Sequence, residues 1–430
     1  MQQLQSTEEK LDYEQESWLA KLGPGLVTGA ADDDPSGIAT YSQAGARFGF
    51  NILWVMLLTY PLMVSIQIIC ARIGRVSGHG LASNMRRHYP AWLLYSAVLM
   101  LVVANTINIA ADLSAMGDAL KLLIGGPGHW YAAGFGLLSL LLQIFIPYRR
   151  YVRVLKWLTL ALLAYVATAL FIPIPWGQVL KGFFMPQLSW KPEYITTVVA
   201  VLGTTISPYL FFWQASEEVE HLIADPHARP VKKAPEQARP QLSRIQIDTY
   251  IGMGFASLVA CFIMLTTAVT LHAHGAHSIE TSAQAAEALR PIAGNFAFAL
   301  FSIGIIGTGL LSLPVLAGSA AYAMAGTFKW RNSLELKPGL AKEFYAIIAF
   351  ATLGGVALGL TTVDPVKALY WSAVINGVIS TPIMAITMLM ASNAKVMGKF
   401  VIPRRLRFLG WLATGLMAMS VLFMFYTFVS

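Results

Sequence analysis

The sequence predicts an all-α polytopic membrane protein of eleven transmembrane helices, built as two five-helix halves of inverted topology plus one added helix. Three observations predict it. Hydrophobic residues make up 56% of the 430 residues and charged residues only 12%, with a mean hydropathy of +0.59, whereas a soluble chain carries roughly twice that charged fraction. Apolar runs long enough to cross a hydrocarbon core recur along the whole chain. Two of those runs, five spans apart, are interrupted by proline and polar residues at corresponding positions. The short alternating segments of a β-barrel do not occur.

The elements follow in order. A polar, acidic tail (1–17) has no basic start leading into a short apolar core, so it does not read as a cleavable signal peptide. The first half (18–173) holds spans at 18–48, 50–73, 91–124, 129–147 and 151–173. The second (193–391) holds spans at 193–222, 246–273, 294–327, 343–362 and 366–391, and the eleventh helix is 406–429. Gly and Pro punctuate the links, as in GGPG at 125–128 and IPIPWG at 172–177. The link at 223–245 is Pro-rich and charged, which reads as a flexible cytoplasmic linker. Cys70 and Cys261 lie inside apolar spans, as buried thiols do, and no CxxC-type motif is present.

Basic residues orient the spans. With the N-terminus in the cytoplasm, 24 of the 30 Lys and Arg fall in cytoplasmic segments, as the positive-inside rule requires. An odd span count puts the C-terminus outside, and the location is the cell membrane. The net charge of +8 is then a topology and lipid-headgroup signal, not a nucleic-acid footprint.

The two interruptions carry the chemistry. The first lies in GAADDDPSGIAT (29–40), where Asp32, Asp33 and Asp34 precede Pro35. The second lies in LGTTISPYLFFWQASEEVEH (202–221), around Ser207 and Pro208. Proline removes a backbone donor and disfavours helix in the preceding residue. Backbone freed at membrane depth is tolerated where it lines a cavity or meets a ligand. A midplane carboxylate is costly unless it is paired or coordinates a cation, so Asp34, held extended at the break, is the anchoring cation ligand. Asp32 and Asp33 are supporting or cavity-facing groups.

These residues resemble the Nramp family of divalent-metal transporters. The stretch 23–78 is similar to the family's first two helices, and the resemblance runs from about residue 20 to 427. It implies the leucine-transporter-type inverted repeat, alternating access around one metal site, and no cofactor beyond the transported ion. The family motifs are Asp-Pro-Gly-Asn in helix 1 and Met-Pro-His in helix 6. By position, the metal-binding aspartate is Asp34, the asparagine position is Gly37 and the methionine position is Ser207. Ala31 and Thr204 supply backbone carbonyls. Thioether sulfur favours softer transition ions, so its replacement by a serine hydroxyl, with Asn lost as well, implies a roomy, oxygen-only site suited to partly hydrated Mg²⁺ and still open to Mn²⁺. This is the pattern of the Nramp-related magnesium transporters.

The resemblance also bears on protons. In helix 3 the aspartate position is Asp112, while the two glutamate positions read Asn105 and Ala115. In helix 6 the two histidine positions read Tyr209 and Gln214. A relay needs titratable groups within reach of one another, so proton coupling is expected to be weak or absent. The alternative is a proton-coupled Mn²⁺/Fe²⁺ carrier.

Other polar residues have two readings each. Asn376 completes the outer shell of the site through water, or makes an interhelical hydrogen bond. Asn105, Asn108 and Asp112 share one face of helix 3, which lines an aqueous path or bonds to neighbouring helices. Glu217, Glu218, Glu220 and His221 form a solvated helix end that pairs with the adjacent basic loop, or attract cations to an inner vestibule. The small-residue run at 304–326 reads as close helix packing, and Trp18, Trp92, Trp130 and Trp330 as interfacial anchors. A membrane prenyltransferase would use an aspartate-rich motif for Mg²⁺-diphosphate, but it needs a second such cluster, and the remaining aspartates are scattered singly. The expected partners are a divalent cation and the lipid bilayer, with no nucleic acid and no obligate protein partner.

Overall fold

A computed structural model describes residues 28–29, 31–146, 158–360 and 364–429. The tail, the first ten residues of span 1 including Trp18, and the start of span 5 lie outside them. The described residues are helical, without strands. The helices are α1 (Pro35–Phe48), α2 (Trp54–Ser77), α3 (Leu81–His88), α4 (Ala91–Ile124), α5 (Gly128–Phe145), α6 (Leu163–Phe171), α7 (Trp176–Phe184), α8 (Pro192–Thr205), α9 (Pro208–Ala224), α10 (Ala238–Thr270), α11 (Ala297–Phe328), α12 (Lys342–Gly359), α13 (Pro365–Ser392) and α14 (Arg404–Val429). Nine spans among these residues are long and apolar enough to cross a membrane, α8 and α9 counting as one. A tenth is formed if the pair ending in α6 and α7, bent by 119°, crosses together. The second part of span 1, from Pro35, is α1; the span's first ten residues lie outside the described ones.

Reciprocal packing expresses the inverted repeat. In the first half, α1 lies against α10; in the second, α9 lies against α2. On the bundle's other side α4 packs on α11 and α5 on α12. The crossings close because their contact residues are small. A side chain at Gly203 would overlap the α13 backbone at Ala373 and Gly377, and one at Gly45 would overlap α10 at Met264. The run at 304–326 packs as its composition indicates: Gly309 sits against Met116 and Gly318 against the Trp213 ring. Trp92 and Trp130 stand exposed at helix starts.

Two expectations at the basic end of the bundle are corrected. The segment at 223–245 is not a free linker. Val231 N–H donates to Arg75 O (3.2 Å) and Lys232 N–H to Val76 O (3.1 Å), Lys232 Nζ donates to Lys395 O (2.7 Å), and Val231 and Ala234 are buried. Nor does span 7 start at 246, since α10 begins at Ala238.

An ion pair ties the start of α10 to α9. Arg244, on the first turns of α10, donates through Nη2 to both carboxylate oxygens of Glu218 on α9 (2.8 and 2.6 Å). Asp248 also lies 3.9 Å from Arg244 Nη1. The expected pairing of the acidic end of α9 with the adjacent basic segment is present in this ion pair, but the end is not solvated. Glu218 is buried, and Glu220, also buried, accepts from Tyr322 (2.9 Å) and Ser333 (2.7 Å).

Candidate cation site

The two breaks fall where the proline signals place them. Helix runs through Asp32, opens at Asp33 and Asp34, and restarts at Pro35. In span 6 it stops at Thr205 and restarts at Pro208. Gly37, expected within the first break, is already helical. Asp34 is the N-cap of α1 in extended conformation (φ −66°, ψ 170°), as a residue preceding proline should be.

The Asp34 carboxylate is buried and accepts four hydrogen bonds. Oδ1 receives Gly37 N–H (2.7 Å) and Ser36 Oγ (2.7 Å). Oδ2 receives Asn108 Nδ2 (3.0 Å) from α4 and the Tyr209 hydroxyl (3.3 Å) from α9. Tyr209 also lies 3.2 Å from Ala31 O, its other acceptor. The hydroxyl thus joins the carboxylate of break 1 to a carbonyl of the same break, from the first turn after break 2.

Break 2 is turned toward its own backbone. Ser207 Oγ donates to Gly203 O (2.8 Å) and Thr204 O (2.7 Å), so the expected serine and carbonyl ligands are bonded to each other. Ser380 on α13 donates to Ile206 O (2.6 Å) within the break, while Thr204 O, the carbonyl that Pro208 leaves without its helical N–H donor, is the one that Ser207 Oγ bonds. The Ser36 and Thr204 hydroxyls stand 3.5 Å apart across the two breaks. The structure therefore brings together Asp34, Ala31, Gly37, Thr204, Ser207 and Tyr209.

The site is compact. A Cβ at Gly37 would lie 3.3 Å from Tyr41 Cε2 and 3.4 Å from both Asp32 O and Thr204 Oγ1. The roomy cavity implied by the loss of Met and Asn is not present in this conformation, because the neighbouring side chains fill that space. Asp34, Thr204 and Ser207 are each about 1% exposed, so the conformation is occluded. Over one end, Ile279 N–H donates to Gln43 (2.9 Å), with Ile279, Ala286 and Leu289 buried. Near the other end a cavity of about 20 Å³ lies between α9 and α11.

Several expected pathway residues are bonded elsewhere. Asn105 donates to Leu316 O and Ser319 Oγ on α11 (2.8 Å each), the interhelical bond that was one of its two readings. Asp112 accepts from Ser312 (2.9 Å), and Gln214 from Thr28 (2.5 Å). Asn376 donates to Asn108 Oδ1 (3.4 Å), one residue removed from Asp34. Asp32 Oδ1 and Asp33 Oδ1 are buried with no hydrogen-bond partner among the described residues. Two groups on Asp34 were not foreseen as its partners. Ser36 carries the signal of an N-cap aspartate followed by a hydroxyl, and Asn108 that of a lone amide at mid-span.

A cation on Asp34 would have to take the place of at least one of its four donors; the longest, Tyr209 (3.3 Å), is also the one that covers Ala31 O. Among the described residues no group of three or more His, Cys, Asp or Glu is arranged to hold a metal. The donor set is one carboxylate, hydroxyls and carbonyls, which is hard-oxygen chemistry.

Comparison with known proteins agrees with this geometry. The divalent metal cation transporter MntH of Klebsiella pneumoniae is 28% identical over 404 residues, covering 91% of this chain and 90% of that protein. A crystal structure of the Eremococcus coleocola manganese transporter, in complex with an aromatic bis-isothiourea substituted compound, superposes with a TM-score of 0.71 at 17% identity, over 94% of this chain and 85% of that one. Mhp1, a nucleobase-cation-symport-1 family transporter, shares the fold at a TM-score of 0.54 and 12% identity, over 94% and 92% of the two chains. The relatives are transporters, and the prenyltransferase alternative finds no support among them. The natural resistance-associated macrophage protein-like model matches residues 25–427, and the chain belongs to the Nramp family of membrane-embedded divalent-metal transporters.

Proposed function

We propose that this chain carries Mg²⁺ and Mn²⁺ across the cell membrane by alternating access, with weak or no coupling to protons. The observation that carries the reading is the buried Asp34 carboxylate, held between two helix breaks whose other groups are all oxygen donors. Freed carbonyls at the C-terminal ends of half-helices favour cations, and Ala31 O and Thr204 O stand at such ends. Ser207 occupies the methionine position, so no thioether lies among the contacts of Asp34, and hard cations meet hard donors. Asn105 is consumed by α11 and Tyr209 by Asp34 and Ala31, which leaves few groups for a proton relay. The distribution of Lys and Arg supports a cytoplasmic N-terminus and an external C-terminus.

A second reading, a proton-coupled Mn²⁺/Fe²⁺ carrier, is favoured by Asp32, Asp33 and Asp112, three buried carboxyls on the spans nearest the site. Flux through Asp34→Ala tests the site under either reading. In proteoliposomes the variant is expected to lose Mn²⁺ influx while eluting as a folded, monodisperse protein. Retained influx would overturn Asp34 as the anchor.

A further inference from the structure

The bundle end opposite the basic one carries a cluster of polar atoms, two histidines after α10 and a carbonyl near the end of α1. After α10 the chain makes a 3₁₀ turn (His272–His274) and a left-handed residue at Gly275 (φ 84°). The turn is closed by Gly275 N–H to His272 O (3.1 Å) and Ala276 N–H to Leu271 O (3.0 Å). It returns the chain so that His277 meets His272, with Nδ1 atoms 3.3 Å apart and rings 4.7 Å apart at 68°. His272 Nδ1 is also 2.8 Å from Ala46 O, a carbonyl in the last turn of α1, where carbonyls lack helical partners and the helix end is negative.

As the rings stand, His272 Nδ1–H donates to the Ala46 carbonyl; a metal ion that took the place of that proton would meet two imidazole nitrogens and one carbonyl oxygen. Two nitrogens bound to one metal at about 2.0–2.1 Å stand about 3.3 Å apart in tetrahedral geometry. The His272 ring is fixed in place, since it fills the space beside Gly49, where a Cβ would lie 2.9 Å from its Cδ2. His274 faces away and bonds Thr270 O (2.9 Å).

We propose that His272, His277 and the Ala46 carbonyl form a separate transition-metal site of the Zn²⁺, Ni²⁺ and Cu²⁺ class. Imidazole nitrogen suits those ions and not Mg²⁺, so this site selects the cations that the oxygen-lined Asp34 site lacks the donors to prefer. The inference does not rest on the transport reading.

Its test is Ni²⁺ titration, followed by calorimetry, of tag-free full-length protein in the Asp34→Asn background, which removes the carboxylate of the other site. One Ni²⁺ site is expected. His277→Ala should weaken it at least as much as losing an outer partner of a ligand does, about 10–100-fold, and His274→Ala should leave it unchanged. His277 is exposed, so its removal leaves packing intact. Cu²⁺ electron paramagnetic resonance of the unmodified chain and of His277→Ala provides a second readout: nitrogen hyperfine from two imidazoles should fall to one. Equal Ni²⁺ affinity in His277→Ala, a loss in His274→Ala instead, or an unchanged Cu²⁺ spectrum would overturn the site.

Discussion

At the scale of the residue, the argument turns on how Asp34 is held. Its four donors come from three elements: Ser36 and Gly37 on its own helix, Asn108 on α4 and Tyr209 on α9. The cap that holds the first two follows from local rules, since an aspartate preceding proline is a helix cap, although Ser36 itself was not foreseen. The other two were not legible as partners, since only the folded bundle sets α4 and α9 beside the break. A hydrogen bond to a charged group contributes about 1.5–3 kcal/mol. Asn108→Ala is therefore expected to weaken Mn²⁺ binding roughly tenfold, read by calorimetry, without loss of expression.

Ser207 tests softness directly. Ser207→Met restores a thioether at break 2 and is expected to raise the preference for Mn²⁺ and Cd²⁺ over Mg²⁺. The measurement is the ratio of the concentrations at which each ion halves Mn²⁺ flux. An unchanged ratio would mean that position 207 does not set selectivity.

At the scale of the element, the connection before α10 shows where sequence reading runs out. Pro, Lys and Arg in 225–244 carry the composition of a linker, and composition cannot report that Val231 and Ala234 are buried. That the acidic end of α9 pairs with this basic segment was legible from charge; that Glu218 and Arg244, 26 residues apart, are the partners, and that the pair is buried, was not. Breaking a buried pair leaves an uncompensated charge, at about 3–5 kcal/mol. Arg244 is 18% exposed, which places Arg244→Ala near the lower end of that range. Thermal unfolding in detergent is expected to show the loss, with Glu218→Gln added to Arg244→Ala recovering part of it. A single variant as stable as the parent would mean the pair does not hold the connection.

The helix breaks are the opposite case. Asp-Pro and Ser-Pro act on the backbone of adjacent residues, so Asp34–Pro35 and Ser207–Pro208 were placed correctly without knowledge of the fold. The polar face of helix 3 was legible as polar but not as divided. Asn108 serves Asp34 while Asn105, less than one turn away, serves α11, and that division depends on which neighbour each residue meets.

At the scale of the whole molecule, span count and repeat order were legible because bilayer thickness and loop charge act on every segment alike. The openness of the site was not, because it belongs to a conformation and not to the chain. Here Asp34 is about 1% exposed, with Ile279 bonded to Gln43 of α1 on one side and Tyr322 of α11 bonded to Glu220 of α9 on the other. An occluded conformation fits a carrier that exposes one site to each side in turn, and the account makes the cation gradient and membrane potential its driving force.

The measurement that reaches this claim most directly is Mn²⁺ influx into proteoliposomes, competed with Mg²⁺, with internal pH recorded in parallel. The account predicts inhibition by millimolar Mg²⁺ and no internal acidification, with both signals absent in Asp34→Ala. Indifference to Mg²⁺ together with acidification that tracks Mn²⁺ entry would contradict it, and would make the chain a proton-coupled transition-metal carrier despite the serine at position 207.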